Sequence, residues 1–180
     1  MAEITTDTIK KACAGDRTAF AKIYETFSQM SLSVAYRIVG DMSLAEDIVQ
    51  EVFLIIYRKL GQFSFRSSLK TWIYRIAVNT SLNTKARTSR DRENQRSFVE
   101  SAKREILRSR TNQPLQRTDK VQEMLRELSP EQRACIVLRS IEQLSYHEIS
   151  EVLEININTV RSRIKRAREI LLERNNGGFS

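Results

Sequence analysis

The chain has 180 residues, 41% of them hydrophobic, enough for one domain or two small ones with real cores. Thirty Lys and Arg against 22 Asp and Glu leave a net charge of +8, the balance expected of a protein with a polyanionic partner, although a merely soluble basic protein has it as readily. No apolar run approaches the ~20 residues of a membrane span, and the polar start Met1–Asp7 has no signal-peptide core, so a cytoplasmic chain with no membrane insertion is expected.

Only five Gly and two Pro occur. Gly15, Gly40 and Gly61 fall between helical patterns, and Gly177 and Gly178 lie in the tail. Glycine gathers at helix ends because it weakens helix interiors. Strand alternation and hairpin dipeptides are missing from the sequence, so the expected class is all-α. Cys13 and Cys135 are far apart, each within an amphipathic pattern and neither at metal-ligand spacing. They read as small buried hydrophobes in a reducing compartment. His147, the single histidine, is expected at the surface. The residues predict no metal and no cofactor.

In chain order, a short helix is predicted near Thr8–Ala14, ending at Gly15. Asp16 caps a longer one with Phe20, Ile23, Tyr24 and Phe27 inward, continuing through Leu32, Ala35, Tyr36 and Val39 to Gly40. Ser43 and Glu46 have capping-box spacing. The helix after them places Ile48, Val49, Val52, Phe53, Ile56, Tyr57 and Leu60 inward and stops at Gly61. After a loop, residues 68–84 form a helix with Leu69, Ile73, Ile76 and Ala77 inside.

Residues 85–117 change character. Ten Lys and Arg face four Asp and Glu, a net +6, in a stretch rich in Ser, Asn, Gln and Thr. It reads as a flexible or transiently helical basic linker. From Thr118 the pattern resumes with Val121, Met124, Leu125 and Leu128 inward. Ser129-Pro130-Glu131 is a helix start, followed by inward Ile136, Val137 and Ile141. Ser145 and Glu148 form another capping box, and Leu144, Ile149, Val152 and Leu153 line one helix face. Asn156 caps a last helix with Val160, Ile164, Ala167 and Leu171 inward. Its opposite face offers Asn158, Arg161, Ser162, Lys165 and Arg168. A helix-turn-helix whose second helix is apolar inside and basic outside can enter a DNA major groove; a solvated basic helix in a bundle has the same periodicity. The expected organisation is a helical domain over 1–84, a linker over 85–117, a helix-turn-helix domain over 118–174 and a tail over 175–180.

The motifs Ala45-Glu-Asp-Ile-Val-Gln-Glu-Val-Phe53, Leu69-Lys-Thr-Trp-Ile-Tyr-Arg-Ile-Ala-Val-Asn79, Leu128-Ser-Pro-Glu-Gln-Arg133, Leu144-Ser-Tyr-His-Glu-Ile149 and Thr159-Val-Arg-Ser-Arg-Ile-Lys-Arg-Ala-Arg168 occur in this order. Together they closely resemble the extracytoplasmic-function (ECF) sigma factors, two-domain subunits that start bacterial transcription. The resemblance covers roughly 8–84 and 118–173 and leaves out the linker.

It implies three tasks. Docking on core RNA polymerase would fall to Glu46, Asp47, Gln50 and Glu51 on the outer side of their helix; without the resemblance, a solvated face with capping and dipole effects for Glu46 and Asp47 is the preferred reading. Capture of the single-stranded −10 element would fall to Phe63, Ser64, Phe65, Arg66, Ser67, Lys70, Trp72, Arg75 and Asn79. Relatives commonly have glycine where this chain has Phe65 and an acid where it has Arg66, so the −10 bases do not carry over. Reading of the duplex −35 element would fall to Asn158, Thr159, Arg161, Ser162, Arg163, Lys165, Arg166 and Arg168. The resemblance also implies an anti-sigma factor as a partner.

Such a protein takes no small-molecule substrate and is no enzyme, in line with a sequence lacking a nucleophile–base constellation or a phosphate-cradling Gly loop. The rival reading is a stand-alone helix-turn-helix regulator, which needs neither the acidic helix nor the Trp72 helix.

Overall fold

The computed structural model describes residues 4–99 and 120–176, with side chains for 4–90 and 120–174. Among these the architecture is helical throughout: α1 Thr6–Cys13, α2 Arg17–Val39, α3 Met42–Lys59, α4 Leu69–Val99, α5 Lys120–Arg126, α6 Pro130–Ile136, α7 Tyr146–Leu153 and α8 Ile157–Asn176. The expected linker residues 100–117, the resumption at Thr118 and the tail residues 177–180 lie outside the described residues.

Helix ends follow local chemistry. Asp16 caps α2 by accepting from the Thr18 and Ala19 amides at 2.8 and 3.0 Å. The helix ends at Gly40, which takes the left-handed conformation at φ 79° that L-residues avoid. One residue later Asp41 opens α3, accepting from the Leu44 amide at 3.0 Å. The expected Ser43/Glu46 box is therefore not the start of this helix. Asp41 lies closer to the end of α2 and caps first, leaving Ser43 inside the opening turn. The Ser129/Gln132 and Ser145/Glu148 capping boxes are both closed, the first with Pro130 at the first helical position. Residues Val137–Ile141 widen into a π-turn that carries the chain from α6 toward α7.

The first part of the stretch expected to be a flexible or transiently helical linker, residues 85–99, is helical. Helix α4 runs without a break to Val99. Arg-rich sequence can continue a helix once nucleated, and a folded turn N-terminal to it removes the nucleation cost. Lys85, expected in the linker, is half-buried and donates to the Val39 carbonyl at 2.9 Å.

Helices α2, α3 and α4 pack around Ile23, Val34, Ile38, Ile48, Val52, Ile56, Ile73 and Ala77, all buried. The Ile and Val side chains contribute about 1.5–3 kcal/mol each when fully buried. Four expected inward residues face out instead: Tyr24, Tyr57, Val121 and Met124 are exposed. In the second half α6, α7 and α8 enclose Ala134, Cys135, Leu138, Ile149, Val152, Val160, Ile164 and Ala167.

The two halves meet where α2 ends and where α4 passes α7. The last carbonyls of a helix lack partners within it. Here Arg133 of α6 donates to the Ile38 carbonyl at 2.7 Å and to Leu128 at 3.2 Å, and Gln122 of α5 donates to Tyr36 at 3.4 Å. Replacing Arg133 by Leu strands both carbonyls. The expected loss is about 2–4 kcal/mol, read from urea unfolding, with faster proteolysis between the halves. An unchanged midpoint would show that these bonds do not hold the joint.

Candidate nucleic-acid and polymerase interface

Helix α7, a tight turn and α8 form the helix-turn-helix. The turn passes through Glu154, a non-glycine residue at φ 54° that ends α7. Asn156 then accepts from the Asn158 amide at 2.8 Å and starts α8. Buried Val160, Ile164 and Ala167 seat α8, which turns Asn158, Arg161, Ser162, Lys165, Arg166 and Arg168 outward, all exposed. Arg161 donates to the Asn158 side chain at 3.1 Å, which holds the guanidinium over the N-terminal end of the helix. Thr159 and Arg163 are only half-exposed. Arg163 lies beside Cys135, whose thiol burial pushes up to about 11 against the pull of that guanidinium; this keeps the thiol neutral.

On α3 the four expected docking residues, Glu46, Asp47, Gln50 and Glu51, are all exposed. The same stripe continues through Leu54 and Tyr57, which are 57% and 53% exposed, and Tyr24 of α2 stands nearby at 46%. Tyr57 packs edge-on against Phe20 at 5.0 Å, and Tyr24 against Phe53 at 4.7 Å. Sequence reading missed these three, although the offsets Asp47, Gln50, Leu54, Tyr57 mark one outer stripe. An acidic patch running into an apolar one suits a partner helix that is basic at one end and apolar at the other.

The expected −10 elements divide. Ser68 caps α4 by accepting from the Thr71 amide at 3.0 Å. Before it, Ser64, Phe65 and Arg66 are exposed, whereas Phe63 is buried and carries the loop from beneath, 5.4 Å from the half-buried Trp72. Trp72, Arg75 and Asn79 share one face of α4 and are half-buried. Arg75 is occupied: it donates to the Glu151 carbonyl of α7 at 3.1 Å and lies 3.3 Å from the Glu154 carboxylate. Next to it Tyr74 donates to Glu142 at 2.6 Å, and burial together with that carboxylate raises its pKa far above the ordinary phenol range. Lys70, exposed, lies over the Tyr74 ring at 5.7 Å.

His147 is exposed, 3.7 Å from Glu151. Among the described residues no group of three or more His, Cys, Asp or Glu is placed to hold a metal ion, and no helix is long and apolar enough to cross a membrane.

The family model for Sigma-70 region 2 matches residues 23–91, and that for Sigma-70, region 4 matches residues 118–171. The chain is 31% identical over 172 residues to the ECF RNA polymerase sigma factor SigW of Bacillus subtilis, covering 91% of this chain and 92% of that one. It is 33% identical over 184 residues to the ECF RNA polymerase sigma-E factor of Escherichia coli, covering 95% of each. The chain belongs to the ECF sigma factors. The fold is shared with CnrH, solved in complex with the cytosolic domain of CnrY, at a TM-score of 0.68, 24% identity and coverage of 97% of this chain and 99% of that one. It is also shared with the sigma factor RpoE of Bartonella quintana, solved in complex with the anti-sigma factor NepR, at a TM-score of 0.63, 24% identity and coverage of 86% and 94%. This sigma factor therefore has region 2 across α2–α4 and region 4 across α5–α8, with the aromatic loop inside the first and the helix-turn-helix inside the second.

The geometry of the second capping box has a titratable consequence. The Glu148 carboxylate accepts from the Ser145 amide at 2.7 Å, and that bond holds its pKa below the usual carboxylate value. A depressed carboxylate pKa adds stability above the unfolded-state value, and the gain is lost as pH falls through the folded one. Glu148→Gln retains an acceptor but cannot ionise. The wild-type Tm is expected to exceed the variant's at neutral pH, and the gap to close below the ordinary carboxylate range. A gap independent of pH would mean that the charge contributes nothing.

Proposed function

We propose that this sigma factor docks on core RNA polymerase through the outer face of α3, reads the −35 duplex with α8, and captures the unpaired −10 strand with the loop before α4. The observation that carries this division is the outward face of α8: Asn158, Arg161, Ser162, Lys165 and Arg168 stand exposed together while the opposite stripe is seated in the core. Arg161, Ser162 and Lys165 reach base edges, and Arg166 and Arg168 the phosphates at the groove walls. Glu46, Asp47, Gln50 and Glu51 pair with cations of a polymerase helix, and Leu54 and Tyr57 cover its apolar part. The loop residues with Lys70, Trp72, Arg75 and Asn79 hold a flipped base and its strand. The protein works in the cytoplasm, catalyses no covalent step and needs no cofactor.

The closed arrangement enters this reading. The −35 face and the docking face are open, whereas Arg75 is bound to Glu151 and Glu154 of the other half. Strand capture therefore follows separation of the two halves on the polymerase. An anti-sigma factor is the partner that would keep the chain closed in this way; the Bartonella quintana neighbour was solved with one, NepR.

Run-off transcription with core polymerase on a genomic fragment library, with permanganate mapping of the opened thymines, tests the whole. Wild-type protein that opens no promoter would return the stand-alone regulator as the better reading. Charge reversal at Asp47 and Glu51 is expected to weaken core binding in a pull-down while circular dichroism stays unchanged; undiminished binding would remove α3 from the docking role. On −35 duplexes Arg161→Ala is expected to lose about 1–3 kcal/mol of discrimination between cognate and scrambled sequence. Arg168→Ala is expected to weaken both alike and to flatten the salt dependence. Equal losses on both duplexes for both variants would refute the assignment.

A further inference from the structure

Where the end of α2 meets α4, α5 and α6, the two halves enclose a cleft of about 400 Å³, within the size range of small-molecule sites. Region 2 lines it with Asp41, Lys85, Thr88 and Ser89, and region 4 with Arg126 and Arg133. Three cations thus stand against one carboxylate, and Asp41 already accepts from the Leu44 amide at 3.0 Å. Asp41, Ser89 and Arg126 are exposed and form the mouth, while Arg133 is buried behind them.

The chemistry of this lining is that of an anion site. Arg133 is 5% exposed. Its terminal nitrogens donate to the Ile38 and Leu128 carbonyls, and its Nε has no partner. A buried charge is ordinarily paired with an opposite one, yet no carboxylate pairs with Arg133. Burial and then the like charge of Arg126 lower its pKa instead. Arg126 makes no ion pair among the described residues either. Two guanidiniums that repel one another across a cleft are complementary to a group of negative charge with several acceptor oxygens, and their planar forks match phosphate. The Thr88 and Ser89 hydroxyls donate to the Thr84 and Lys85 carbonyls, both at 2.9 Å. Those carbonyls already have amide partners within α4, so either hydroxyl is free to turn to a phosphate oxygen.

We infer that this cleft binds a small phosphate-bearing anion, and that the bound anion holds region 4 against region 2. The second half rests on the proposed separation of the halves on the polymerase. Lys85, Thr88 and Ser89 come from α4, Arg126 and Arg133 from α5 and α6, so a phosphate bonded to both sets is held only while the chain is closed. A ligand that binds the closed form alone stabilises it by mass action. By linkage it weakens, by the same factor, a partner that needs the open form. The cleft has room for more than one phosphate group, which favours a pyrophosphate or a nucleotide over a single phosphate.

The experiment titrates the full-length chain with inorganic phosphate, pyrophosphate and ATP, each at one ionic strength held with chloride. Pyrophosphate is expected to raise the Tm saturably and to slow proteolysis between the halves, with inorganic phosphate weaker. ATP binding more tightly than pyrophosphate would identify a nucleotide as the ligand; equal binding would identify the phosphates alone. Arg126 is exposed and outside the hydrogen bonds of the joint, so Arg126→Gln is expected to keep a Tm close to wild type without probe. Its affinity for pyrophosphate is expected to fall roughly tenfold. Saturating pyrophosphate is further expected to weaken association of the wild-type chain with core polymerase, and that of Arg126→Gln less. The site is overturned if none of the three probes gives a saturable rise in Tm. It is overturned equally if Arg126→Gln binds pyrophosphate like wild type, which would put the anion elsewhere, as on the basic face of α8. A raised Tm with no protection between the halves would overturn the locking. A raised Tm and slower cleavage with undiminished core association would uphold the site and its locking and overturn the separation on the polymerase, a result distinct from the others.

Discussion

The C-terminus of α2 is the point on which the arrangement of this sigma factor turns. Gly40 ends the helix, and its last carbonyls accept from side chains of three other helices: Gln122 at Tyr36, whose carbonyl also accepts from the Gly40 amide, Arg133 at Ile38 and Lys85 at Val39. Two are cations, which the negative end of a helix dipole favours. Because Gln122 and Arg133 belong to region 4 and Lys85 to α4, one helix end fixes both the internal packing of region 2 and the seat of region 4. A Cβ on residue 40 would lie 3.3 Å from the Gln122 amide nitrogen and would push that side chain by a few tenths of an ångström, but the positive φ is what calls for glycine there.

This joint is polar and incompletely satisfied. Arg133 is buried, yet its Nε has no partner, and neither has the Gln122 carbonyl oxygen. Burial and then the neighbouring Arg126 lower the Arg133 pKa, so the surroundings disfavour the charge that makes the bonds. Unpaired buried polar atoms cost free energy that an apolar contact would not. The same is true where α4 meets α7: Arg75 and Glu154 are partly exposed, and an ion pair so placed contributes little. An interface of this kind holds two halves in register at a small net gain, in line with the separation proposed above.

Legibility in the sequence followed the range of the interaction. Ser145 with Glu148, Ser129 with Pro130, and Asp16 are caps made within four residues, and each stands as expected. Ser43 and Glu46 have the same spacing but lost to Asp41, because where α2 ended decided where α3 could begin. The outer faces of α3 and α8 followed from periodicity, since it needs no knowledge of neighbours. Tyr24 and Tyr57 did not: their positions are at the edge of an apolar stripe, and only the placement of α2 against α3 determines which edge is covered. Helix α4 beyond Thr84 was hidden by composition, as charge and polarity there suggest a solvated linker while helix continuity depends on the folded turns before it. Lys85, Gln122 and Arg133 read as ordinary polar residues, and nothing local connects them to the end of α2.

Among the described residues, three that are not glycine take positive φ: Phe65, Gln143 and Glu154. Two of them bear on the same helix. Phe65 lies in the loop that leads into α4, and Glu154 reaches Arg75 on α4 from the turn of the helix-turn-helix. At each position glycine would relieve the backbone but remove a side chain with a partner, the Phe63 ring in one case and the Arg75 guanidinium in the other. Left-handed residues of this kind cost about 1–2 kcal/mol. Both lie beside the face of α4 that carries Trp72 and Arg75. That face is covered by Glu154 in the closed chain and, by the reading given above, by DNA in the open one.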